Sequence, residues 1–154
     1  MTKLYHQGMK LAALLVSDYM TPNPIVVEPE DTLMRALEIT RLQGVRRLPV
    51  TVGGMLVGLL TEGDLKRAEP STLTGSEAEF NRVMEETTVS RIMIQNPVTT
   101  TADAPLLEAA EVLLNTKYGA LPVVAGSRAV GILTDNDLIR ALVDVLREAK
   151  GAEG

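Results

Sequence analysis

The chain has 154 residues, no cysteine, one histidine and a formal net charge of −5, with 45% hydrophobic residues and a mean hydropathy of +0.12. The missing cysteines exclude disulfides, thiolate metal sites and cysteine nucleophiles, and a single histidine, His6, argues against a histidine-based metal site or triad. The acidic balance argues against nucleic acid as a partner, since a phosphate-backbone footprint is basic.

Such a length makes one ordinary domain or two small halves sharing a core. With aromatics at 3% and no Trp, that core is expected to be aliphatic, with methionines filling gaps. Residues 1–8 receive no functional weight. Leu11 to Val16 is an apolar run closed by Ser17 and Asp18. It is too short to cross a membrane and has no small-residue cleavage site, so a soluble, cytoplasmic protein without membrane attachment is expected.

Lys10 to Tyr19 reads as a short amphipathic lead helix ended by Pro22 and Pro24, and Ile25-Val26-Val27 as a short strand. Asp31 or Thr32 can cap the next helix, in which Leu33, Ala36, Leu37 and Thr40 recur at helical spacing and Gly44 ends the pattern. Leu48 to Val52, Gly53-Gly54 and Met55 to Leu60 form a hairpin signal, two apolar runs joined by a two-residue glycine turn. Pro49, with no N–H for the ladder, is expected at a strand start or edge. Gly58-Leu59-Leu60-Thr61, with Asp64 three residues on, reads as a buried strand entering a helix that Pro70 stops. Glu69 to Thr87 is a polar linker in which Ser76 to Glu79 resembles a capping box opening a short helix.

The plan then repeats. Val98-Thr99-Thr100 is the short strand, and Pro105 opens a helix carrying Leu106, Ala109, Ala110 and Leu113. Leu121 to Ala125 and Ala129 to Leu133 make a hairpin around Gly126-Ser127, and a last helix runs from Asp137 to about Glu148. Thr61 and Thr134 lie 73 positions apart, and Met20/Met93, Pro24/Pro97, Ala36/Ala109, Pro49/Pro122 and Asp64/Asp137 obey the same shift. No gap is needed from Val16 to Ala68. A strand-helix-strand-strand-helix unit was duplicated, and the copies are expected to pack as a pair. The expected spans are 11–68 for the first unit with its lead helix, 69–87 for the linker and 88–148 for the second unit. They leave no room for a separate catalytic domain.

The order Tyr19-Met20-Thr21-Pro22-Asn23-Pro24, then Leu48-Pro49-Val50, then Gly58, Thr61 and Asp64 resembles a cystathionine-β-synthase (CBS) domain. Two in register over roughly residues 11–146 resemble a tandem CBS pair, or Bateman module, of the stand-alone bacterial or archaeal type. The resemblance implies an α+β fold of two β-α-β-β-α units packed sheet to sheet with pseudo-two-fold symmetry. It implies clefts between the units for adenosine compounds (AMP, ADP, ATP or S-adenosylmethionine), frequent homodimerisation, and regulation of a partner rather than catalysis. Carried over by position, Thr134 and Asp137 would meet Ile25, Val26, Val45, Arg46 and Arg47. Thr61 and Asp64 would meet Val98, Thr99, Tyr118, Gly119 and Ala120.

The residue types suit that ligand. An ionised carboxylate can accept from both hydroxyls of a ribose, and a helix start favours a nearby phosphate. Arg46-Arg47 can clamp phosphate oxygens through planar forks, whereas the matching positions are Gly119-Ala120. The Thr134/Asp137 cleft is therefore expected to take a phosphorylated adenosine and the other an uncharged or cationic one. Gly58 and Gly131 fit a bulge or close approach by a ligand. The same Thr-x-x-Asp pairs are equally close to helix capping boxes, and Arg46-Arg47 to a solvated charge pair. Glu62 and Asp135 would oppose a triphosphate. Three functions follow in order: an adenosine-ligand sensor without a resident cofactor; a structural or dimerisation module with empty clefts; and an enzyme. The last lacks a nucleophile with a base, a Walker loop and clustered metal ligands.

Overall fold

A computed structural model describes residues 13–71, 73 and 75–153. Its elements are α1 (Val16–Tyr19), β1 (Thr21–Pro22), α2 (Leu33–Gln43), β2 (Arg47–Val52), β3 (Met55–Thr61), α3 (Glu62–Ala68), α4 (Glu77–Glu86), a 3₁₀ turn (Val89–Arg91), β4 (Ile94–Gln95), α5 (Leu106–Leu114), β5 (Ala120–Ala125), β6 (Arg128–Thr134) and α6 (Asp135–Glu153). The expected mixture of helices and antiparallel strands is what the chain adopts.

The chain divides into two compact units that cut across the sequence repeats. One, the Asp64 unit, spans Pro24–Pro97 and takes in Ser127–Ala129. The other, the Asp137 unit, combines the lead segment through Asn23 with Val98–Gly126 and the chain from Val130 onward.

In the Asp64 unit, β2 and β3 form an antiparallel hairpin with a bulge between Val50 and Thr51. Gly53 and Gly54 turn it at φ of 57° and 83°, the left-handed conformations a two-residue hairpin loop demands. On the far side of β3 lies β4, pairing Gly58 with Gln95 and Leu59 with Ile94. Thr32 caps α2 by accepting the Arg35 N–H, and Gly44 ends it at φ 65°. Asp31 instead accepts the Glu28 N–H. Ser76 caps α4 through the Glu79 N–H. Leu33, Ala36, Leu48, Val50, Leu60, Leu65, Met84 and Val89 are sealed into the core.

The Asp137 unit repeats the arrangement. Its β5 pairs with β6, and β1 lies along β6 with Thr21 opposite Ile132 and Pro22 opposite Gly131. Its core joins Val16 of α1 to Leu106, Ala109, Leu113, Leu121, Val123, Leu133 and Ala141. Each repeat's lead segment thus completes the other repeat's hairpin. Val16 and Val89, equivalent under the 73-residue shift, are both fully buried, so apolar burial drives both dockings.

Three local expectations are corrected. The strands expected at Ile25-Val26-Val27 and Val98-Thr99-Thr100 shrink to single parallel bridges, Val27 to Val50 and Thr100 to Val123. Ile25, Val26 and Val98 stay at least one-third exposed, because only the third residue reaches a neighbouring strand. The lead helix is one turn, Val16–Tyr19; the expected start at Lys10 lies outside the described residues. The last helix begins at Asp135 and continues to Glu153, since Leu146 to Lys150 is rich in strong helix formers.

Candidate functional site

Both Thr-x-x-Asp pairs stand where a buried strand becomes a helix, and both form reciprocal caps. Asp64 Oδ2 accepts the Thr61 N–H at 3.0 Å while Thr61 Oγ1 accepts the Asp64 N–H at 3.1 Å. The second copy matches, with 2.9 Å from the Thr134 N–H to Asp137 Oδ2 and 3.3 Å from the Asp137 N–H to Thr134 Oγ1. Two orphan N–H groups of each helix start are satisfied this way. The other carboxylate oxygen is held by an arginine one turn on: Arg67 donates to Asp64 Oδ1, and Arg140 to Asp137 Oδ1. Asp64 is 8% exposed and Asp137 4%. Buried charges need such partners, and among the described residues no buried side-chain polar atom lacks one.

An ionised carboxylate offers roughly four lone-pair positions. Each aspartate spends one on the cap and one on the arginine, which leaves acceptor capacity on both oxygens. Arg67 and Arg140 escaped the reading of the sequence, yet the signal is there: both follow their aspartate by three residues, the spacing that brings side chains together on a helix.

The segment before each hairpin is tied to the same helix start. The Glu62 N–H donates to the Arg46 carbonyl at 2.8 Å, and the Asp135 N–H to the Gly119 carbonyl at 3.0 Å. A groove of about 380 Å³ in the Asp64 unit is lined by Val45, Arg46, Glu62, Leu65 and Lys66 together with the end of α2. Thr61 and Asp64 do not line it. Glu62, expected to repel phosphate, is paired with Lys66 at 3.1 Å and lies 3.8 Å from Arg46. Its carboxyl is held below the usual range, first by the Lys66 hydrogen bond, then by the charges of Lys66, Arg46 and Arg47.

In the Asp137 unit the Tyr118 hydroxyl accepts the Val98 N–H at 3.0 Å, so two of the expected base-pocket residues are brought together. Thr99 and Gly119 sit beside them in the chain and Ala120 is buried. Ile25, Val26, Val45, Arg46 and Arg47 belong to the Asp64 unit, while Thr134 and Asp137 belong to the other. Gly58 and Gly131 make room for the chain itself: a Cβ on Gly58 would stand 2.5 Å from Met93 Sδ, and one on Gly131 3.0 Å from Met20 Sδ. The close approach is made by the docked lead segments. Among the described residues no helix is long and apolar enough to cross a membrane.

Comparison with known proteins follows the repeat. The CBS domain profile matches residues 16–71 and 89–144. A CBS domain-containing protein of Dictyostelium discoideum is 34% identical over 136 residues, covering 86% of this chain and 94% of that protein. Among solved structures, the CBS-pair protein CBSX2 of Arabidopsis thaliana is 30% identical at a TM-score of 0.73, covering 88% of this chain and 98% of its own. The same protein solved in complex with AMP is 31% identical at a TM-score of 0.69, with 85% and 97% covered. The CBS domain pair of protein MJ0100, solved with 5′-methylthioadenosine and S-adenosyl-L-methionine, is 27% identical at a TM-score of 0.70, with 84% and 99% covered. With two matched copies spanning most of its length, the chain belongs to the CBS domain family.

Proposed function

We propose that this protein is a regulatory module that binds an adenosine compound (AMP, ADP, ATP or S-adenosylmethionine) and signals occupancy rather than catalysing a reaction. The observation that carries the reading is the pair of nearly buried carboxylates, each fixed by a backbone cap and an arginine, each with acceptor positions to spare. Two neighbouring sugar hydroxyls are donors that such an anion can accept together. Similar CBS pairs crystallised with AMP and with S-adenosylmethionine support the ligand class. To Thr134 and Asp137 we assign the ribose of the phosphorylated compound, and to Thr61 and Asp64 that of a second nucleoside. Arg46 and Arg47 are assigned to phosphate, and Ile25, Val26, Val45, Val98, Thr99, Tyr118, Gly119 and Ala120 to base. The Lys66 pairing of Glu62 weakens the expected repulsion of phosphate near Arg46.

The test is thermal unfolding with and without AMP, ATP and S-adenosylmethionine. A ligand that binds only the folded chain raises the melting point further as its concentration exceeds its Kd, and no shift with any of the three removes the reading.

A structural or dimerisation role without ligand is the second reading, and one observation favours it: each aspartate already has a backbone cap and an arginine partner. Ile139, Leu142, Val143 and Leu146 form an apolar stripe on α6 and are 39–58% exposed, which suits a second copy of this chain. A homodimer in the cytoplasm that speaks to a further protein partner accommodates both readings, with ligand as its signal in the first alone.

A further inference from the structure

The two aspartate corners are built alike, but the arginine of the second does an additional job. Arg140 Nη2 donates to Asp137 Oδ1 and also, at 3.2 Å, to the main-chain carbonyl of Tyr19. One nitrogen therefore bridges the proposed sugar-binding carboxylate and the end of α1. That carbonyl belongs to the last turn of a helix, where backbone acceptors have no intrahelical partner. The Tyr19 hydroxyl returns to α6, donating to Asp144 Oδ2 at 2.7 Å. Between the two contacts lies the lead segment, whose Val16 is fully buried against α5 and β6.

We propose that Arg140 is a positioning residue that holds Asp137 in its sugar-accepting orientation and makes the lead helix Val16–Tyr19 respond to occupancy of that site. The inference rests on the adenosine reading above and adds to it a direction of travel. Thr134 fixes one carboxylate oxygen through a rigid backbone N–H; Arg140 fixes the other through a side chain that is itself anchored on Tyr19. A bound diol adds hydrogen bonds to a carboxylate already in place, which strengthens the seat of Arg140 and hence the docking of α1. Linkage makes the effect reciprocal: whatever loosens α1 must weaken the ligand by the same factor.

The experiment compares wild type, Arg140→Met, Arg140→Lys and Tyr19→Phe, the last removing only the hydroxyl bond to Asp144. AMP and 2′-deoxy-AMP are titrated by calorimetry, and hydrogen exchange is followed over residues 16–20 with and without AMP. Wild type is expected to prefer AMP over its 2′-deoxy form by about tenfold and to show AMP-dependent protection of residues 16–20, the usual scale for a hydrogen bond to a charged group. Arg140→Met is expected to bind AMP about tenfold more weakly, to lose most of the preference for the 2′-hydroxyl, and to lose the protection. Arg140→Lys restores part of each, and Tyr19→Phe weakens AMP about two- to threefold. A purely structural arginine would weaken both nucleotides equally. Folded Arg140 variants with unchanged preference and unchanged protection overturn the inference while leaving the adenosine reading intact. If Arg140→Met does not fold, the same decision falls to Arg140→Lys and Tyr19→Phe. Failure of wild type to bind any of AMP, ATP and S-adenosylmethionine overturns both together.

Discussion

The Asp64 and Asp137 corners share their inner chemistry and differ in the side chains and helix lengths around it. Thr, Asp and Arg superpose in role down to the atom that each donates to or accepts from. Outside that trio, the first corner has Glu62 paired with Lys66 near Arg46. The second has Asp135, Ile139 and Gly119 at the matching positions. Helix α3 stops after seven residues, with Pro70 just beyond, while α6 runs for nineteen. The longer helix reaches Asp144 and so can take the Tyr19 hydroxyl; the residue matching Tyr19 in the other corner is Ile92, which has none. Duplication copied the carboxylate seat, and divergence acted on what the seat is wired to.

The largest effects should be the same in both units. Leu60 and Leu133 are equivalent and essentially unexposed. Leu60→Ala and Leu133→Ala are each expected to cost about 2–5 kcal/mol in urea unfolding, and a cost confined to one would break the equivalence of the cores.

Ligand affinity should then separate the corners. Asp137→Ala is expected to weaken AMP by about tenfold to a hundredfold, the range for losing hydrogen bonds to a charge, and Asp64→Ala by less. Calorimetric titration checks this; a greater loss from Asp64→Ala reverses the assignment of the phosphorylated compound.

The two strand glycines sharpen the comparison at smaller scale. Gly58→Ala meets Met93 Sδ at 2.5 Å and the Ile94 carbonyl at 3.0 Å, and Gly131→Ala meets Met20 Sδ and the Thr21 carbonyl, both at 3.0 Å. About 1–3 kcal/mol is expected for the first and less for the second, as overpacking dictates. Met93→Ala should return part of the loss in Gly58→Ala, because it clears the sulfur.

The smallest effect is an alkaline pH dependence expected at Tyr19 of the Asp137 unit. The hydrogen bond to Asp144, then burial and nearby acids, raise the Tyr19 phenol from 10.0 to about 12. A group whose folded pKa is raised stabilises the fold while protonated, so this contribution is complete below pH 10 and fades as pH climbs toward 12. The hydroxyl's bond to Asp144 is exposed, which keeps the step small. Tyr19→Phe should flatten that part of the stability profile, measured by denaturant unfolding between pH 9 and 12.

Much of this was legible in the residues. Gly53-Gly54, Thr32, Gly44 and Ser76 have local roles that do not depend on the rest of the chain, and the structure realises each. The capping reading of Thr61 and Thr134 was legible for the same reason. Where Met20 and Met93 would dock was not, because in-register repeats offer a lead segment two nearly identical hairpins, and only long-range packing chooses between them. The role of Gly58 and Gly131 depended on that choice, so it was hidden too. Arg140 is an intermediate case: its contact with Asp137 follows from helical spacing, but its contact with Tyr19 spans most of the chain.

The crossed lead segments make each repeat a borrower. Severed within the 69–87 stretch, either half would carry a bare strand edge, β3 or β6, beside a lead that has lost its host. Two such fragments could recover only by trading leads with each other, so the molecule is expected to reassemble from its halves when mixed and to aggregate when they are kept apart.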